Sequence, residues 1–248
     1  MDNKKAKSNR KDNRRMKYYF DDYPEFYRRP ATQASPLRMH YRQKAIIKHN
    51  AHLFKNAKIL DLGCHDGRWC FASLKAGASH VTGVDFQPSL ITAANSRFEH
   101  YGVDKDKYTF ICDDFFHFLE TFSFKYDLIL CLGILYHIID IGRLIGLMRE
   151  TGAKYIIIET SISAITATVL QLSTDKNGIG YGIPAYRDRS LVALPSKKAI
   201  EFILKFYEFD WEYYNWHKKI KDWTGLTSKN GLKWYKMNRR ILLVAARQ

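Results

Sequence analysis

The clearest pattern in the chain is a set of short, continuously apolar runs, each closing on a glycine or a carboxylate and each followed by an amphipathic stretch. Lys58-Ile-Leu-Asp-Leu62 runs into Gly63, and His80 to Val84 ends at Asp85. Tyr108 to Cys112, Tyr126 to Cys131 and Tyr155 to Glu159 repeat the form, and Arg240 to Ala246 closes the series. Between them, residues 68–75, 88–100, 115–121 and 141–150 have helical spacing, and Pro88 occupies a first-turn position where its missing N–H costs nothing. Runs that are apolar at every position, not at alternate ones, predict strands covered on both faces. Alternated with helices, they predict an α/β fold: a Rossmann-like, doubly wound, mostly parallel sheet of seven strands.

Outside this core the pattern is looser. Residues 1–17 are charged, with only Ala6 and Met16 apolar, and are expected to be a disordered basic tail. Residues 18–54 read as an arm and a helix. Tyr18, Tyr19, Phe20, Tyr23, Phe26 and Tyr27, interrupted by Pro24 and Pro30, form an irregular stretch that packs on something. A helix from about Leu37 to Phe54 then carries Ile46, Ile47 and Leu53 as core candidates. The main domain spans residues 55–248. Its alternation breaks at residues 160–194, where Ser, Thr, Gly and Pro predict a long loop inserted on the acceptor side as a lid. A helix resumes over 196–207 after Pro195.

Composition limits the setting. A chain of 248 residues fits one large α/β domain, and its 46% hydrophobic content supports a full core. No apolar run reaches the roughly 18 residues that span a bilayer, and Met1 to Lys17 has no signal-type stretch, so a cytoplasmic location is expected. The four cysteines form no CxxC pair and have no histidine at zinc-ligand spacing, so no metal site is expected. Cys70, Cys112 and Cys131, in or beside apolar runs, are expected to be reduced core thiols.

The net charge of +15 is concentrated at two places. Residues 1–17 hold eight Lys and Arg against two Asp, and residues 217–240 hold eight against one. Such patches suit an anionic partner (nucleic acid, phosphate or a membrane surface) or a solvated face that keeps the chain soluble. The C-terminal segment also interleaves Trp211, Tyr213, Tyr214, Trp216, Trp223, Trp234 and Tyr235 with its cations. That arrangement suits stacking on unpaired RNA bases, an aromatic lid, or plain core.

The chemistry gathers at the strand ends. Asp61-Leu62-Gly63-Cys64-His65-Asp66-Gly67-Arg68 takes a strand through a tight glycine turn into a helix start, whose unpaired N–H groups favour an anionic or polar ligand. Asp85, about twenty residues on, is placed to accept hydrogen bonds from both hydroxyls of a ribose. Gly63 and Gly67 do not fit the spacing of a dinucleotide fingerprint.

These residues resemble the first motif of the class I S-adenosylmethionine-dependent methyltransferases, acidic-x-Gly-x-Gly-x-Gly, with His65 in place of the middle glycine. The resemblance implies S-adenosyl-L-methionine as cofactor, held by Asp61, Gly63, Cys64, His65 and Gly67, by Asp85 and Phe86, by Asp113 and Asp114, and by Leu132. Asp113 would meet the adenine amino group. The loop Leu132-Gly-Ile-Leu-Tyr-His137 would face the transferable methyl. There His137 serves as a general base near neutral pH, or caps the helix that follows. Tyr136 orients the acceptor or the methionine moiety. Leu-Tyr-His, Leu194-Pro195-Ser196 before a helix, and a closing strand led by Arg240 are similar to the branch containing the tRNA wobble-uridine carboxymethyltransferases. Tyr136 and Arg240 stand where that branch grips a carboxylated cofactor, but the N-terminal part that supplies its lysine does not align with this chain.

The expected activity is methyl transfer to an oxygen or nitrogen of a small or anionic acceptor. The alternatives are an RNA methyl- or carboxymethyltransferase binding through residues 1–17 and 217–240, and a non-catalytic nucleic-acid-binding module.

Overall fold

A computed structural model describes residues 17–28, 35–121, 125–175, 185–186, 189–220 and 232–248. Seven strands form the central sheet: β1 (Lys58–Leu62), β2 (His80–Asp85), β3 (Tyr108–Cys112), β4 (Leu128–Leu132), β5 (Tyr155–Ser161), β9 (Phe209–Tyr213) and β10 (Arg240–Arg247). Their order is β3-β2-β1-β4-β5-β10-β9. The first five pair in parallel, and β10 is antiparallel to both of its neighbours. The expected α/β class and the mostly parallel seven-stranded sheet are what the chain forms. The order in which strands are added reverses at β1, from which β2 and β3 lie to one side and β4 and β5 to the other. That is where open α/β sheets bind ligands, beyond the strands' carboxyl ends.

Helices cover both faces. One face packs against α3 (Arg68–Lys75), α4 (Pro88–His100) and the N-terminal arm, burying Ile59, Phe71, Val81, Phe98, Leu128 and Ile157. The other packs against α5 (Phe115–Thr121), α6 (Ile141–Glu150) and α7 (Lys197–Phe206), burying Leu60, Leu62, Val84, Ile129, Ile156 and Ile158. Alternate residues of β1 thus serve opposite cores, which explains why the strand is apolar at almost every position.

The arm does pack, as expected. Two short 3-10 turns, Tyr19–Asp22 and Pro24–Tyr27, bury Phe20 and Phe26 completely. Phe26 stacks on Tyr101 with ring centroids 5.6 Å apart and meets Phe71 at 5.1 Å; Phe20 meets Trp69 edge-on. The single helix expected over 37–54 is broken into α1 (Pro36–Gln43), a π-helical turn (Lys44–Lys48) and α2 (Ala51–Phe54). Asn50 causes the break by turning its side-chain amide back to donate to the carbonyls of Ala45 and Ile46.

Residues 160–194 differ most from expectation. In place of a long loop, the described residues of this segment hold a second antiparallel sheet, β6 (Leu170–Asp175), β7 (Ala185–Tyr186) and β8 (Arg189–Pro195), in the order β6-β8-β7, while 176–184 and 187–188 lie outside the described residues. Its strands are short, and β6 is solvated along most of its length, so no buried apolar run marked it in the sequence. Strand β9 escaped notice for a related reason: it lies at the sheet edge and alternates buried or half-buried with exposed residues. Among the thiols, Cys64 is buried with Cys70 and Cys131, while Cys112, expected in the core, is exposed at the end of β3. The tail (residues 1–16) lies outside the described residues. Two short helices, α8 (Trp216–Lys219) and α9 (Lys233–Lys236), complete the fold. No helix among the described residues is long and apolar enough to cross a membrane.

Candidate active site

The glycine turn after β1 is built on left-handed backbone. Gly63 and Gly67 have φ of +60° and +77°, and His65 has φ +60°. Histidine is among the few residues that enter this region with some ease, so the family's middle glycine is replaced here without losing the turn. Gly67 has a second constraint: a Cβ there would stand 2.9 Å from the Phe110 ring and 3.0 Å from Phe98. Asp66 locks the turn from beneath. It is fully buried and takes a bidentate ion pair from Arg68 at 2.6 and 2.7 Å, with His65 Nδ1 at 3.2 Å. Burial alone would raise its pKa, but Arg68 and His65 outweigh that and hold it well below the usual carboxylate range.

Around this turn the expected cofactor residues converge. Asp85, at the end of β2, accepts from the backbone N–H of His65 at 2.9 Å and of Gln87 at 3.0 Å, so its carboxylate is aimed by the turn it serves. Phe86 follows directly. Cys64 donates its backbone N–H to the Val84 carbonyl, stitching the two strand ends together. Asp61 is buried beside Cys70, whose Sγ lies 3.3 Å from Oδ2. Burial pushes its pKa up to about 7, against the lowering effects of Cys70 and Arg42.

Beyond β3, Asp113 pairs with His117 Nδ1 at 2.8 Å. Asp114 caps α5, with Oδ1 accepting from the N–H groups of Phe116 and His117. Its Oδ2 is buried without a hydrogen-bond partner. An adenine amino group donating there would satisfy it, so this side of the turn fits an adenosine.

The β4 end forms the other wall. Leu132 pairs with Glu159 across β4 and β5, and Gly133 (φ +85°) donates its N–H to the Glu159 carbonyl at 2.7 Å. A 3-10 turn, Leu135–His137, then presents Tyr136 and His137 with ring centroids 4.0 Å apart. His137 does not cap α6; Asp140 does, accepting from Arg143 N–H. His137 Nδ1 lies 3.4 Å from Asp175 Oδ2. Burial lowers the His137 pKa below its ordinary value, with Asp175 opposing and Arg240 reinforcing.

A charged cluster underlies this turn. Glu159 is fully buried and receives Arg240 Nε at 2.6 Å, Arg240 Nη2 at 2.8 Å, Arg42 Nη2 at 2.8 Å and the Tyr235 hydroxyl. Burial would raise its pKa; Arg240 and Arg42 hold it far below the usual carboxylate range. Arg240 Nη1 also reaches the Tyr136 hydroxyl at 3.4 Å and Ser161 Oγ at 3.3 Å, and its guanidinium lies over the Tyr136 ring. Tyr136 and Arg240, named together in the sequence only through the family resemblance, are neighbours in the structure. Glu159 had a usable signal, as a lone carboxylate closing an apolar strand, but Arg42, Tyr235 and Asp175 had none. The aromatic C-terminal segment is mainly core: Trp216 and Tyr235 are buried with tilted rings 4.3 Å apart, Trp234 is exposed, and Trp223 lies outside the described residues.

Comparison with known proteins agrees with this geometry. Residues 59–167 match the family model described as a methyltransferase domain. The tRNA U34 carboxymethyltransferase of Campylobacter curvus is 32% identical over 99 residues, covering 38% of this chain and 32% of that protein. The ubiquinone biosynthesis O-methyltransferase of Actinobacillus pleuropneumoniae is 31% identical over 113 residues, covering 45% and 46%. The chain thus spans less than half the length of these curated relatives. Magnesium protoporphyrin IX methyltransferase from Synechocystis, solved with bound S-adenosylhomocysteine, superposes with a TM-score of 0.60 at 17% identity over 92% of this chain and 94% of that one, a likeness of fold. Residues 59–167 thus match a methyltransferase domain, and the chain as a whole has the fold of solved S-adenosylmethionine-dependent methyltransferases.

Proposed function

We propose that the protein transfers a methyl group from S-adenosylmethionine to an oxygen or nitrogen of a small or anionic acceptor, acting in the cytoplasm. The observation that carries this reading is the charge balance beside the β4 turn. Arg38, Arg42 and Arg240 all bear electrostatically on one carboxylate, Glu159, and the Nε atoms of Arg38 and Arg42 are buried without hydrogen-bond partners. Such a surplus of buried cation favours an anionic group on the acceptor.

Bound at the β1–β2 turn, the cofactor supplies an activated methyl on a sulfonium. The protein's own residues then need only position the acceptor and accept its proton. Asp85 takes the ribose hydroxyls, Asp61, Gly63, Cys64, His65 and Gly67 line the turn, Phe86, Asp113 and Asp114 hold the adenine side, and Leu132 flanks the β4 end. Tyr136 orients the acceptor. His137, kept neutral near pH 7 by its burial, accepts the acceptor's proton. Labelled cofactor, incubated with the protein and either the small-molecule or the RNA fraction of a cell extract, tests the reading. Label in small molecules, reduced on the order of 10²-fold or more by His137→Gln with cofactor binding retained, supports it. Label in RNA alone overturns it.

RNA methyl or carboxymethyl transfer is the second reading. It is favoured by the tRNA-acting relative, by the Tyr136–Arg240 pair and by the basic residues of 217–240, of which Lys218 and Lys219 stand exposed on α8. Binding to single-stranded RNA through four phosphate contacts gives a slope of log affinity against log salt of about −3. Reversing Lys218, Lys219 and Lys221 to Glu flattens that slope if this reading holds.

A further inference from the structure

The second sheet, β6-β8-β7, sits against the turn that carries Tyr136 and His137. Ala193 of β8 donates its N–H to the Ile138 carbonyl at 3.2 Å, fixing the sheet to the residue after His137. Asp175, the last residue of β6, pairs in register with the fully buried Ser190 of β8, which sets where its side chain can reach. Its carboxylate lies 3.4 Å from His137 Nδ1, and both side chains are mostly covered, at 20% and 28% exposure. On the opposite side, the neighbouring Tyr136 is held by Arg240. The turn is thus gripped from two directions: by β10 through Tyr136 and by the added sheet through His137.

We infer that Asp175 is a positioning residue for His137: its carboxylate holds the proton on Nδ1, so that Nε2 presents its lone pair to the methyl acceptor. The inference rests on the reading of His137 as general base. As the acceptor O–H or N–H gives its proton to Nε2, a new bond forms between acceptor and methyl carbon. The C–S bond breaks, its electron pair stays on sulfur as a neutral thioether, and the imidazolium, charge-paired with Asp175, later returns its proton to water. A carboxylate on Nδ1 selects the tautomer and stabilises the imidazolium, while a histidine without one divides its population between tautomers. On this account the added sheet takes part in the chemistry through one side chain. Among the described residues, the charged groups bearing on His137 are Asp175 from β6 and Arg240 from β10, with the Tyr136 ring tilted against it.

Nitrogen-15 NMR of the imidazoles in the full chain tests this without any acceptor, with His137→Gln identifying the signal. The wild-type protein is expected to show His137 protonated on Nδ1. Asp175→Ala is expected to mix the tautomers and to lower the His137 pKa, because a nearby negative charge is lost while Arg240 remains. Asp175→Glu is expected to restore both in part. Thermal melting and cofactor affinity serve as fold controls and should be unchanged. His137 with the same tautomer and titration in Asp175→Ala as in wild type overturns the inference, as does an Nε2-protonated wild type. Where Asp175→Ala alters the tautomer as expected but His137→Gln transfers methyl at the wild-type rate, the base reading fails and the positioning role in catalysis fails with it. The two failures are thus distinguished.

Discussion

Arg42 and Glu159 are separated by 117 residues and meet at 2.8 Å, joining the N-terminal helix to the end of the fifth strand. Arg240, from the opposite end of the chain, binds the same carboxylate through two of its nitrogens. Removing either arginine leaves a buried negative charge short of donors. Arg42→Ala is expected to cost about 1.5–3 kcal/mol, the range for a hydrogen bond to a charged group. Arg240→Ala, which removes the bidentate partner, is expected to cost about 3–5 kcal/mol. Urea unfolding at pH 7 measures both.

The same carboxylate gives the fold an acid limit. Glu159 has its folded pKa depressed by Arg240 and Arg42 despite burial. Its contribution is therefore complete above the ordinary glutamate range, near pH ~4.3, and is lost as pH falls through and below that range. Denaturant midpoints from pH 6 down to pH 3 are expected to fall, and Glu159→Gln is expected to flatten that fall while lowering stability at pH 7.

Asp61 has the opposite sign. Its folded pKa is raised to about 7 by burial, so between roughly pH 4 and 7 the folded chain binds a proton that the unfolded chain does not. Stability then decreases as pH rises through that window. Asp61→Asn removes the penalty, and the variant is expected to be more stable than the parent at pH 8, with the advantage shrinking towards pH 4. If Asp61 also faces the cationic cofactor, the same variant binds cofactor more weakly, so stability and affinity move in opposite directions. Thermal melts across pH and calorimetric titration with S-adenosylhomocysteine read the two effects.

Asp85→Ala is expected to weaken cofactor binding by about 1–3 kcal/mol, roughly 5- to 150-fold, by stranding two ribose hydroxyls. It also strands the His65 and Gln87 N–H groups, so the melting temperature should drop as well. Asp85→Asn keeps one acceptor oxygen and is expected to lose affinity with a smaller loss of stability. Calorimetry and thermal melts of the two variants separate the contributions.

Truncation separates tail from arm. Among the described residues, deleting 1–17 removes an exposed, solvent-screened ion pair, Lys17 with Asp22, and should leave stability and cofactor affinity close to those of the full chain. Phe26→Ala empties a fully buried ring site against Phe71 and Tyr101 and is expected to cost about 3–5 kcal/mol. Melting curves and cofactor titration of the two proteins check the contrast.

What the sequence revealed follows from range. Asp61, Gly63, Gly67 and Asp85 were legible because a strand passing through a glycine turn into a helix is specified within ten residues, and parallel strands buried on both faces leave unbroken apolar runs. The Glu159 cluster was not, because Arg42, Tyr235 and Arg240 reach it from 117, 76 and 81 residues away. Asp175 was hidden for another reason. A solvated hairpin has the composition of a loop, and only its pairing with β8 brings that carboxylate to His137.

The position of β10 bears on how the chain can assemble. Its residues lie between β5 and β9, and among the described residues β9 has no other strand partner in the sheet. As the protein emerges from the ribosome, β9 is made about thirty residues before the strand it must pair with. Until Arg240 arrives, Glu159 also lacks its bidentate counter-ion. In the folded chain one strand therefore does two things at once: it fills the place between β5 and β9, and its first residue brings Glu159 a bidentate counter-ion.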